Sequence, residues 1–202
     1  RVPPNRASRG EATQRPWDRR SGRWATERAA RGCGIARRGL DEVRGTYTRS
    51  YGSPDTDAGL LILPQLDFHP SGSPRVRGTI DAVTRELDAG GPLLYRYPPR
   101  RDGLPGTEGA FLPCSFWLVQ ALARSGRAIE AETLFGELLA LASPLGLYAA
   151  EMDPATHHHL GNYPQALTHA ALVQAAFALR AADLGAVVEP PSGAVRGPGG
   201  AT

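Results

Sequence analysis

The chain contains no lysine. All 23 of its basic residues are arginine, against 20 acids, a uniformity that points to coding bias rather than to a built basic surface. Cysteine is almost absent. Cys33 and Cys114 stand alone, 81 positions apart, which excludes both a disulfide framework and a cysteine-based zinc site. Cys114 lies in "FLPCSFWLV" and reads as a small buried apolar residue. Long apolar runs are missing as well. Nothing approaches the roughly 18 residues that cross a bilayer, and the opening "RVPPNRASRGEATQRPWDRR" has no apolar core of a signal peptide. A soluble, cytoplasmic chain without a membrane partner is expected. Strand signals are also sparse, which leaves an all-α class.

What is present is unevenly placed. Residues 1–38 hold eleven Arg against three acids, a net +8, and the remainder holds twelve Arg against seventeen acids, a net −5. A basic arm can neutralise nucleic-acid phosphates. This one has few interleaved aromatics and no helical stripe of charge, so no nucleic-acid partner is expected. Its composition predicts a disordered leader, although "WATERAARGCGIARRG" could form a short helix weakened by Gly32 and Gly34. At the other end, 188–202 is a tail rich in Pro and Gly that can build no core. A hydrophobic content of 41% suffices for one core between them.

Within 39–187 the apolar spacing is helical. "DAGLLILPQLDF" predicts an apolar turn of helix ended by Pro64. In "SPRVRGTIDAVTRELDAGG", Ser73 can cap, Pro74 suits the first turn, and Gly90 can stop the helix. Val76, Ile80, Val83 and Leu87 share one face of it. "AFLPCSFWLVQALARSG" is apolar nearly all round, which predicts a helix buried on most sides. "RAIEAETLFGELLALASPLG" follows after a short turn as its hairpin partner. "PQALTHAALVQAAFALRAADLG" is the last helix. Between these lie loops of fifteen to twenty residues, longer than compact bundles need and so candidates for function.

Those loops carry the chemistry. Glu151 and Asp153 stand two apart in "GLYAAEMDPATHHHLGNYPQ". They could act as general base and water-positioner, or Asp153 could form a turn before Pro154 while Glu151 is solvated. His157, His158 and His159 are consecutive and diverge, so a metal site is not expected. His169 reads as a satisfied helix histidine. "YRYPPRRDGLPGTEGAF" gathers Tyr95, Arg96, Tyr97, Asp102 and Glu108, a composition suited to the apolar face and hydroxyl rim of a sugar.

The blocks "RGTYTRSYGSPDTDAGLLILP", "SPRVRGTIDAV", "GLPGTEGAFLPCSFWLVQALARSGR" and "GLYAAEMDPATHHHLGNYPQALTHAALV" together resemble glycoside hydrolase family 15, the bacterial glucoamylases and trehalase-like enzymes. The resemblance spans Gly39 to Leu184. It implies about three helical hairpins, the C-terminal half of an (α/α)6 toroid with its site at the loop end. By the same resemblance the activity is inverting hydrolysis of α-glucosides such as maltodextrin, isomaltose or trehalose, with two carboxylates and no cofactor. Arg96, Tyr97 and Glu108 fall where that family lines its sugar site.

Two departures follow from the comparison with that family. No segment here resembles its general acid, and residues 1–38 read as unrelated sequence. In addition, the family's base is the first acid of a motif like "GLYAEEIDP". Ala150 stands there, and Glu151 is one position late. The expectation is an inactive chain able to self-associate through an exposed barrel edge. The rival expectation is a non-catalytic helical-hairpin module that binds carbohydrate or protein.

Overall fold

The computed structural model describes residues 16–66, 69–98 and 108–183. The chain divides into two units, Arg1–Arg38 and Gly39–Thr202. In the first, Pro16–Arg38 forms helix α1. This corrects the expectation of a disordered leader across those residues. Ala, Arg and Glu are strong helix formers, no proline follows Pro16, and Glu27 pairs with Arg31 one turn on. Together they outweigh Gly22, Gly32 and Gly34. The expected Pro/Gly tail 188–202 lies outside the described residues.

The second unit runs β1 (Leu40–Asp41), β2 (Thr46–Tyr47), a 3₁₀ helix (Ala58–Gln65) and α2 (Pro74–Glu86). It continues with β3 (Asp88–Gly90), β4 (Leu93–Leu94), β5 (Ala110–Phe111), α3 (Leu112–Arg124) and α4 (Ala128–Ala140). The last elements are β6 (Glu151–Met152), β7 (His159–Leu160) and α5 (Ala166–Asp183). The architecture is helix-rich. Among the described residues, seven short strands add small antiparallel pairings, β1-β2, β3-β4 and β5-β6-β7. At two or three residues each, they are too short to show a two-residue period in sequence.

The 58–65 segment is a second correction. Pro64 lies inside it, one residue before its end, rather than ending it; at the last turn the proline forgoes a single i→i+3 bond. Its cap is Asp57, whose carboxylate accepts from the Gly59 amide at 2.6 Å. In α2, Ser73 caps the Val76 amide as expected, and Val76, Ile80, Val83 and Leu87 are all at most 1% exposed. The helix ends at Glu86 with Leu87 as its cap, before Gly90 is reached.

Helix α3 is the centre of the core and packs on α5, α4 and the 3₁₀ helix. Eleven of its thirteen residues are buried. Its polar members are all satisfied, as burial requires. Ser115 Oγ accepts from the Leu94 amide at 3.0 Å. Gln120 accepts from Gln65 Nε2 at 2.7 Å and donates to the Ala171 carbonyl at 3.2 Å. Phe116 meets Tyr148 edge-on at 5.5 Å and Phe135 at 6.3 Å. No described helix is long and apolar enough to cross a membrane.

The two thiols differ in reactivity. Burial pushes the Cys114 thiol up to about 12 despite the nearby Arg96 charge, whereas Cys33 is exposed. A thiol reagent at neutral pH is expected to label Cys33 at once and Cys114 only after denaturation, which a count of released chromophore with and without denaturant checks.

Candidate functional site

The sheet β5-β6-β7 builds the site. β5 leads directly into α3, and its register with β6 sets Ala110 opposite Met152 and Phe111 opposite Glu151. β7 then places Leu160 beside Glu151 and His159 beside Met152. Residues directly opposite share a face. Ala110 and Met152 are fully buried in the core, so Phe111, Glu151 and Leu160 occupy the other face. The ladder extends past Glu151, with the Leu112 amide donating to the Ala150 carbonyl at 3.1 Å and the Ala150 amide to Asn162 O at 3.0 Å.

Arg96 reaches this face from the long loop. Its guanidinium carbon lies 5.8 Å from the centre of the Phe111 ring, a cation–π distance, and its own carbonyl accepts from the Ala58 amide at 2.9 Å. Arg96 and the strand pair that carries Phe111 and Glu151 therefore meet. Tyr97 follows, half-buried. Glu108 is half-buried too, immediately before Gly109. Residues 99–107, which include Asp102, lie outside the described residues.

Glu151 is not the solvated loop residue that its flanks allow. It is half-buried in β6. Burial lifts its carboxyl above the ordinary 4.5, and the Gly109 amide that donates to it draws it back only in part. Gly109 is required there. A Cβ at that position would stand 2.9 Å from Glu151 Cβ and 2.8 Å from its Oε2, a clash that rotation of the carboxylate alone cannot relieve. Sequence inspection missed both Gly109 and Phe111. The only available signal was their place three residues and one residue before the apolar helix.

The other candidates are structural. Asp153 accepts from the Ala155 amide at 2.8 Å, which, as the main influence, holds its carboxyl low. It is a turn-former, with His157 beyond it at φ 57°. His159 Nδ1 accepts from the Ala149 amide at 3.2 Å, and His169 bonds within its own helix start. Among the described residues no three His, Cys, Asp or Glu converge as a metal site. A separate groove of about 350 Å³ between the β3-β4 hairpin and α4 is lined by Leu118, Leu122, Ile129 and Leu134, and contains none of these residues.

The raised Glu151 carboxyl has a consequence for stability. The folded chain binds this proton more tightly than the unfolded chain, so the group's contribution to stability falls as pH rises from about 4.5 through the higher folded value. Glu151→Gln keeps an acceptor for Gly109 and removes the titration. Its denaturation midpoint, relative to wild type, is expected to rise between acid and pH 7. A difference independent of pH would contradict it.

The sequence profile of Glycosyl hydrolases family 15 matches residues 9–177. The match begins inside the Arg-rich segment expected to lie outside that family, which corrects that expectation. A trehalase of Mycolicibacterium smegmatis is 47% identical over 142 residues, covering 70% of this chain and 21% of that protein. A trehalase of Mycobacterium tuberculosis gives the same figures. One of Thermoplasma acidophilum is 37% identical over 150 residues, covering 74% of this chain and 26% of its own. The chain thus spans about a fifth to a quarter of the length of these relatives. Among solved structures, a glycosidase aligns over 85% of this chain and 46% of its own, with a TM-score of 0.59 at 20% identity. A glycosidase variant solved in complex with glucose aligns equally well.

Proposed function

The chain belongs to glycosyl hydrolases family 15, and from that membership we propose that the face formed by Arg96, Phe111 and Glu151 is the floor of a site for α-glucosides, trehalose first among them. The observation that carries this reading is the seating of Arg96 over Phe111, the cross-strand partner of Glu151. An aromatic ring offers the apolar patch that a pyranose needs. Arg96 offers a planar fork of donors, and Glu151 accepts from hydroxyls. Tyr97 and Glu108 complete the lining. The helices are the closing part of an (α/α)6 ring, a reading that the similarity to glycosidase structures supports. The setting is cytoplasmic.

The chemistry of such a site is inversion. One carboxylic acid protonates the glycosidic oxygen while a carboxylate roughly 6.5–9.5 Å away draws the proton from water on the opposite face. Ala150 holds the base position, and a methyl group cannot accept a proton. Glu151 is held by the Gly109 amide and stands one residue later inside β6, whereas Ala150 lies at the bend that precedes the strand. The chain therefore binds sugar without turning it over, which also favours the carbohydrate-binding module as the working role. Calorimetry with trehalose and maltose, together with a glucose-release assay, tests this. Binding that Arg96→Ala abolishes, without glucose release, is the expected result. Turnover abolished by Glu151→Gln would make it an enzyme with Glu151 as base, and absence of binding would overturn the reading.

The outer face of α5 has a proposed partner in a second copy. Val173 and Phe177 are 49% and 66% exposed, and Arg180 continues their stripe one turn on. The groove lined by Ile129 and Leu134 is rimmed by Glu130 and Glu137, complementary in both apolarity and charge. Phe177→Glu is expected to leave a monomer by light scattering. A wild type that is monomeric at all concentrations would remove the proposal.

A further inference from the structure

Residues 148 and 149 have no strand partner, yet every one of their four backbone polar groups is held by the segment 159–169. The Tyr148 carbonyl accepts from the Gln165 amide at 2.9 Å, and the Ala149 carbonyl from the Thr168 hydroxyl at 2.8 Å. Both amides donate to imidazoles. Ala149 N–H goes to His159 Nδ1 at 3.2 Å and Tyr148 N–H to His169 Nε2 at 3.4 Å. His169 Nδ1 lies 2.7 Å from the Gln165 carbonyl. The proton must sit there, leaving Nε2 as the acceptor. His159 has the opposite tautomer, with Nδ1 bare. Both rings stand edge-on to the Tyr148 ring, at 6.2 and 5.9 Å.

We propose that His159 and His169 are positioning residues that act only when neutral, fixing residues 148–149 and through them the site strand at 150–151. An imidazolium has two N–H donors and no lone pair, so protonating either ring turns an acceptor toward a donor. Tyr148 and Ala149 are 1% and 0% exposed, leaving no water to replace it. The titratable groups in ring contact are the phenols of Tyr148 and Tyr163, which are engaged with the Leu138 carbonyl and the Ser143 hydroxyl. Glu151 and Asp153 flank Met152, the strand partner of His159, and His158 precedes it; Glu151 is engaged with the Gly109 amide and Asp153 with the Ala155 amide. Among the described residues no carboxylate pairs with either ring. Protonation of either ring therefore loosens the strand that carries positions 150 and 151.

The effect on sugar rests on the reading of that strand as a sugar site, whereas the latch itself does not. Amide exchange at Tyr148 and Ala149, corrected for intrinsic rates, tests the latch between about pH 8 and about pH 5. His159→Asn and His169→Gln place an amide oxygen where the accepting nitrogen stood. The double variant is expected to stay protected throughout, while wild type loses about tenfold or more of its protection in acid. His159→Leu and His169→Leu are expected to be unprotected at every pH; should they fail to fold, the Asn/Gln comparison decides. Wild-type protection independent of pH, or loss of protection in the Asn/Gln variant matching wild type, would overturn the proposal. Trehalose affinity measured on the same samples separates the two ideas. An acid-weakened affinity that the Asn/Gln variant abolishes supports both, and a latch without sugar binding sinks only the sugar site.

Discussion

Ala150→Glu is expected to speed release of fluoride from α-glucosyl fluoride by about 10²–10⁴-fold over wild type, the usual contribution of a general base. The substrate matters. Fluoride leaves without a proton, so the assay isolates the base from any general acid. Ala150 has both backbone groups engaged, its amide with Asn162 and its carbonyl with Leu112, so a longer side chain there is presented by a fixed backbone. The position is partly exposed, and its methyl group faces Gly161, on which a Cβ would stand 3.3 Å away. Ala150→Gln is the control for size and polarity. A Glu variant no faster than the Gln variant would show that position 150 does not address the reacting centre.

Phe116→Ala is expected to cost about 3–5 kcal/mol, a large part of the 5–15 kcal/mol that holds a typical domain together. Phe116 is fully buried in α3 and meets two aromatic partners edge-on, Tyr148 and Phe135. Deletion of the ring removes apolar contacts with α4 and with the 148–149 segment at once. Phe116→Leu, which keeps most of the volume, is expected to lose no more than about half as much. Urea midpoints at constant slope measure both. A loss below about 1 kcal/mol for the alanine variant would mean that the core collapses around the gap.

The helices were legible because each carries a repeating signal. Val76, Ile80, Val83 and Leu87 mark one face of α2, and the nearly all-round apolarity of 112–123 announces the buried α3. The site was only half legible. Arg96 and Glu151 stood out by chemistry, but their meeting depends on β5 and β6, strands of two residues that no periodicity reveals. Phe111 looked like the start of a helix, and Gly109 like an ordinary loop glycine. Only the register of Phe111 with Glu151 gives them roles. The histidine run was read as divergent loop residues, and nothing in its spacing reveals that His159 and His169, ten residues on, both accept from the 148–149 backbone. The leader failed for a compositional reason, since arginine supports helix as readily as it supports a charged arm.

The central claim is that one face, with Arg96 at its edge and Glu151 at its middle, receives an α-glucoside. Titration of trehalose into isotopically labelled protein, followed by amide and arginine side-chain resonances, tests it most directly. The account predicts saturable shifts at Gly109, Phe111, Glu151 and the Arg96 guanidinium, while Ile129 and Leu134 in the α4 groove stay still. Shifts confined to that groove, or none at any trehalose concentration, would contradict it.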